Sequence, residues 1–257
     1  MSKFELKITH LYPSKMNIYG DIGNIITLKR RAEWRGIDTT VVKSEIGEKL
    51  SPGKTDLYFI GGAQDEDQVE AYKDALVNKK DAIRKDIENG VSMLAICGGY
   101  QMLGRFFLTG DDNRLKALNI IPVETVAPSS LVAQRCIGNI VTKINDKSLL
   151  KILKKETLVG FENHSGRTRF LSEELVPLGD VKYGIGDNED AEHEGVHYMN
   201  AIGSYMHGSF LPKNPHVADL LITTALKRKY KEFDKLAPLD DEIEWVAHES
   251  IVKRFLK

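Results

Sequence analysis

At 257 residues, with 42% hydrophobic and 28% charged residues, the chain has an ordinary globular composition and is long enough to bury a full-sized core. A net charge of −1 gives no electrostatic reason to bind nucleic acid or an anionic membrane. Two cysteines, Cys97 and Cys136, are too few for a disulfide framework or a zinc site and fit a reducing cytoplasm; no apolar run is long enough to span a membrane, and MSKFELKITH lacks the apolar stretch of a signal peptide.

Strands and helices alternate through the first hundred residues. Phe4, Leu6 and Ile8 alternate with polar residues and predict a strand. A loop from Leu11 to Gly23 leads into a helix ending near Arg35, with Gly36 as its stop. Strands are predicted at Thr39–Lys43 and Asp56–Ile60, the second turning sharply at Gly61–Gly62–Ala63. Two helices follow, the second stopping at Gly90, before an apolar run from Val91 to Ile96. This order predicts an α/β fold: a mostly parallel sheet flanked by helices on both faces. After Gly104, short β-rich segments at Ile120–Val126, Ile137–Ile144, Leu158–Phe161 and Val181–Gly184 predict an antiparallel extension. A last strand, Ala201–Met206, runs into His207, and Pro215–Tyr230 has the pattern of an amphipathic helix. Residues 1–232 read as one domain and 233–257 as a helical extension.

The stretch VSMLAICGGYQMLG, Val91–Gly104, reads as strand, sharp turn and helix, with Cys97 at the turn. This is the arrangement of a nucleophile elbow. Gly98 and Gly99 permit a strained backbone, and the following helix aims its N-terminus at the sulfur, favouring the thiolate that attacks carbonyl carbon. The alternative is an inert buried cysteine. A cysteine nucleophile needs a base. His207 closes the strand in GSYMHGSF, and catalytic groups on such sheets gather at strand carboxyl ends. His164, in GFENHSGR, is its competitor; His10, His193, His197, His216 and His248 read as loop or surface residues.

The segments ICGGYQMLG, GFENHSGRT and GSYMHGSFLPKNP together resemble the class I glutamine amidotransferases of the cobyric-acid-synthase type. Within them the chain is most similar to the glutaminase subunits of lipid II isoglutaminyl synthases, and LYPSKMNIYGDIGNIITLKRRAEWRG and YGIGDNEDAEHEGVHY fit the same pattern. The resemblance covers about Ile8 to Tyr230. It implies a flavodoxin-like amidotransferase fold, Cys97 as nucleophile, His207 as general base, and Arg135 holding the glutamine substrate. It also implies an oxyanion hole formed by the Gly98 and Gly62 N–H groups. The implied partner is a Mur-ligase-like synthetase subunit, in a heterodimer that amidates D-glutamate of the peptidoglycan stem on a membrane-bound lipid. No Walker-type motif or metal-ligand cluster is read in the sequence, so ATP and Mg²⁺ are expected on that partner and no cofactor here. Other readings are an amidotransferase feeding a different, cobyrinate-type synthetase, a silent regulatory binding module, and a cysteine peptidase or γ-glutamyl hydrolase.

Most triad amidotransferases carry a Glu two residues after the histidine, where this chain has Ser209. A hydroxyl cannot supply the charge that fixes an imidazole tautomer. Three arrangements are open: a Cys-His dyad, Glu162 reaching across, or an acid from the partner. The last is preferred, because a glutaminase completed only on assembly would not waste glutamine. Asp21 reads first as the cap of the helix after it, with projection into the catalytic cleft as the alternative.

Overall fold

The computed structural model describes residues 3–129, 135–153 and 155–256. Its first part contains β1 (Glu5–Leu11), α1 (Ile22–Glu33), β2 (Asp38–Ser44), β3 (Leu57–Ile60), α2 (Asp65–Asn78), α3 (Lys80–Glu88), β4 (Ser92–Ile96) and α4 (Gly98–Leu103). The middle is β-rich: β5 (Phe106–Leu108), β6 (Arg114–Lys116), β7 (Val123–Val126), β8 (Cys136–Lys143), the short α5 (Lys147–Leu150), β9 (Thr157–His164), β10 (Arg167–Phe170), β11 (Val176–Tyr183) and β12 (His193–Tyr198). The chain ends with β13 (Ala201–Ser204), β14 (Met206–His207), α6 (Phe210–Lys213), α7 (Pro215–Lys229) and α8 (Glu242–Phe255).

The main sheet has the order β14-β9-β8-β11-β12-β13-β4-β3-β1-β2. From β13 to β2 every pairing is parallel. All residues of β3 and β4 are buried, as expected for inner parallel strands covered on both faces. The antiparallel extension, from β12 outward to β14, is as wide as the parallel half. A second sheet, β10-β7-β5-β6, stands beside it.

The predicted final strand is broken at Tyr205. β13 continues the parallel sheet beside β4, while β14 pairs with β9 at the far end of the extension. Side chains satisfy the backbone at the break: Glu194 accepts from the Tyr205 N–H, and Ser204 Oγ accepts from the Met206 N–H at 3.0 Å. Ser204 and Met206 lie within about 7 Å along the backbone. The antiparallel strands therefore curl round, returning the end of β9 to the edge of the parallel sheet. That curl carries Asn163, His164 and Ser165 to the cleft above Cys97.

His10, His216 and His248, expected in loops or at the surface, are buried. His10 is an inner-strand residue packed on Phe59, and the other two sit with Trp245 where α8 covers the body. His248 fastens α8: its Nδ1–H donates to the Lys213 carbonyl and its Nε2 accepts from the Thr157 hydroxyl, both at 2.8 Å. His193 and His197 belong to β12, and His197 Nδ1 lies 2.6 Å from Asp146 Oδ2. Among the described residues no helix is long and apolar enough to cross a membrane, and no group of three or more His, Cys, Asp or Glu is arranged to hold a metal.

Candidate active site

Cys97 follows β4 directly with φ 51° and ψ −108°, a backbone shape that side-chain-bearing residues rarely adopt. Neighbouring backbone holds it there. The Cys97 N–H donates to the Ser204 carbonyl at 2.8 Å, and the Gln101 N–H donates to the Cys97 carbonyl at 2.9 Å. Gly99 N–H reaches the Gly61 carbonyl at 3.1 Å, an approach so close that a Cβ on Gly99 would lie 2.7 Å from Ile60.

β4 and β13 are parallel neighbours, so Cys97 and the segment leading to His207 leave the sheet at the same end. His207 is fully buried, and a Cβ built on Gly62 would lie 2.8 Å from its Cε1 and 3.4 Å from Cys97 Cβ. Thiol and imidazole thus flank the same glycine. Burial pulls the imidazole pKa down, but its interaction with Cys97 and its bond to Asp21 outweigh that and push it up to about 10. Nε2 has no well-formed hydrogen bond and is left for the sulfur.

Nδ1 is taken. It lies 3.1 Å from Asp21 Oδ1, with both residues wholly buried. Asp21 makes no side-chain capping bond to α1, contrary to the first sequence reading; its carboxylate turns to His207 and Gly62 instead. The acid preferred from a partner therefore meets a position already filled by this chain. Glu162 is occupied elsewhere, accepting the Ile185 and Gly186 N–H groups at 2.9 Å each. His164 lines the cleft but stacks on Tyr205 with ring centres 3.7 Å apart, and its Nδ1–H donates to the Gly166 carbonyl.

Gly62 does not present the free donor expected of it. Its N–H donates to Asp21 Oδ2 at 2.8 Å, because a buried carboxylate is the strongest acceptor within reach. Gly98 N–H, at the start of α4, stands beside the thiol, and a Cβ on Gly98 would lie 3.4 Å from the Ala63 nitrogen. Across the cleft, exposed Arg135 donates through Nε to Asn163 Oδ1 at 3.0 Å and through Nη2 to the Asn163 carbonyl at 3.2 Å. The cleft holds about 600 Å³, and Cys97, Arg135, Asn163, Gln101 and Tyr19 are among its walls. That is room for an amino acid, with a thiol at one side and a guanidinium at the other. The sequence offered no local signal for Asn163 or Tyr19; both are brought in by folding.

Residues 7–215 match the CobB/CobQ-like glutamine amidotransferase domain. The chain is 41% identical over 238 residues to the lipid II isoglutaminyl synthase (glutamine-hydrolyzing) subunit GatD of Streptococcus pneumoniae, covering 93% of this chain and 87% of that one. It is 38% identical over 250 residues to the subunit of the same name from Staphylococcus aureus, covering 97% and 96%. A cobyric acid synthase of Listeria monocytogenes is 28% identical over 203 residues, or 73% of this chain and 38% of that protein. Among solved structures, PurLQS from Thermotoga maritima overlays with a TM-score of 0.55 at 15% identity, covering 87% of this chain and 96% of that one. A glutamine amidotransferase from the same organism gives 0.54 at 16%, covering 98% of each. At such identities the overlay speaks for the fold.

Proposed function

Because this chain belongs to the CobB/CobQ-like glutamine amidotransferases, we propose that it is the glutaminase subunit of a lipid II isoglutaminyl synthase. The observation that carries the reading is identity of 38–41% to two GatD subunits over most of both chains, joined to a cysteine and a histidine that meet over Gly62.

In this reading Arg135 binds the α-carboxylate of glutamine, a guanidinium being suited to bidentate pairing. The Cys97 thiolate attacks the side-chain amide carbon, forming a C–S bond and a tetrahedral oxyanion. Gly98 N–H stabilises that oxyanion, together with the Ala63 N–H in place of the engaged Gly62. His207, as imidazolium, gives its proton to the amide nitrogen; the C–N bond breaks and ammonia leaves. The neutral imidazole then takes a proton from water, whose oxygen attacks the γ-glutamyl thioester. The C–S bond breaks, glutamate departs, and Cys97 leaves as thiolate beside the imidazolium that took the proton from water, the starting state of the site.

Ammonia passes to a Mur-ligase-like partner in a heterodimer, working in the cytoplasm on the D-glutamate of a lipid-linked stem peptide. ATP and Mg²⁺ act on that subunit. The test is amidation of lipid II by the two proteins with ATP. Wild type should work with glutamine or ammonium, and Cys97→Ala with ammonium only. A wild-type pair that uses ammonium but never glutamine would overturn the proposal.

A further inference from the structure

The loop before α1 meets both halves of the candidate machinery. Asp21 Oδ1 reaches His207, and Oδ2 accepts the Gly62 N–H. Three residues earlier, the Ile18 N–H donates to the Gly62 carbonyl at 3.3 Å. A trans peptide is planar, with its C=O and N–H pointing opposite ways. Fixing the Gly62 carbonyl toward Ile18 therefore directs the Ala63 N–H away from that loop, on the side where Gly98 lies.

The loop is fastened to the histidine segment by Ser209. Its hydroxyl donates to the Gly20 carbonyl at 2.5 Å, and it sits so tightly against Gly23 that a Cβ there would come within 2.1 Å of the oxygen. Ser209 holds φ +48° to do so, a left-handed shape unfavourable for serine, and Gly20 has φ +81°. Tyr19 from the same loop packs edge-on against the His207 ring, with centres 5.0 Å apart. Strain, close contact and a short hydrogen bond thus converge where the chain has serine two residues after its histidine.

We propose that Asp21 is the acid that orients His207, that its loop also sets the oxyanion turn, and that Ser209 is the positioning residue that pins this loop. The inference rests on the Cys97–His207 chemistry of the proposed function. Asp21 acts through the imidazole: it keeps the proton on Nδ1, leaves Nε2 facing the sulfur, and stabilises the imidazolium. Ser209 acts through Asp21.

The test uses the full chain with Asp21→Asn, Ser209→Ala and the double variant, reading glutamine hydrolysis and the pH profile of Cys97 alkylation by iodoacetamide. Alkylation requires no turnover, so it reports on this inference even if glutamine is not the substrate. Asp21→Asn should lower kcat by about 10²-fold or more while leaving KM within about threefold, since the wrong tautomer disables the base without touching the substrate seat. Its alkylation at pH 6.5 should fall about fivefold, the thiolate having lost a firmly held imidazolium. Ser209→Ala should lower kcat about tenfold in wild type and hardly at all in the Asp21→Asn background, because the two act in series. Unchanged kcat and an unchanged alkylation profile in Asp21→Asn would overturn the proposal. So would equal losses from Ser209→Ala in both backgrounds. Should Asp21→Asn fail to fold, Ser209→Ala alone decides: wild-type kcat and alkylation in it count against the assignment.

Discussion

Arg135 and Asn163 form a paired arm over the cleft, the guanidinium holding both the side-chain oxygen and the backbone carbonyl of the asparagine. The pairing aims a planar cation across the pocket that contains Cys97.

Arg135→Lys keeps the charge and loses the fork. KM for glutamine should rise about 10- to 100-fold, the worth of a charge-assisted pair, with kcat within a few-fold. Steady-state kinetics at saturating and sub-saturating glutamine separate the two. A loss confined to kcat would place Arg135 outside the substrate seat.

Stability should fall in mild acid because of α8. Burial, and secondarily neighbouring His248, lowers the His216 pKa to about 3, and burial lowers that of His248 as well. The folded state therefore refuses a proton that the unfolded chain accepts near pH 6.5. Above that pH both states are neutral and there is no effect; below it a penalty grows down to about pH 3. His216→Leu should flatten the fall in urea midpoint between pH 7.5 and 5. A slope as steep as wild type would remove His216 from the explanation.

Asp219 clamps two buried arginines. It takes Arg31 through both oxygens at 2.8 Å and Arg35 at 2.7 Å, while Asp241 before α8 takes Arg31 at 2.6 Å. Asp219→Ala leaves Arg35 with no carboxylate and Arg31 with Asp241 alone, and should cost about 3–5 kcal/mol, lowering Tm by on the order of 10 °C. Asp241→Ala leaves Arg31 one partner and should cost less than half as much. Thermal unfolding of the two variants checks the order, and the reverse order would refute it.

Much of the parallel half was legible because its inner strands β3 and β4 are buried on both faces and so appear as apolar runs such as Leu57–Ile60 and Met93–Ile96. Helix ends were legible where one residue dictates backbone shape: Gly36 has φ +70° just past α1, and Pro215 opens α7. The break at Tyr205 was not, since it depends on Glu194, which reaches it through folding. The short strands β5 and β6 escaped for want of length. Cys97 and His207 could be picked out because each sits where a strand ends. Asp21 was misread because its neighbours do look like a helix start; its true partners lie 41 and 186 residues away.

Chain order sends β4 out of the ribosome about a hundred residues before β13, although the two are neighbours in the sheet. The thiol is synthesised and its strand can fold while the neighbouring place in the sheet is still vacant. Only when the late strand slots in does the imidazole arrive, to meet the Asp21 carboxylate already made. A half-made chain carries Cys97 without the imidazole that flanks Gly62 with it.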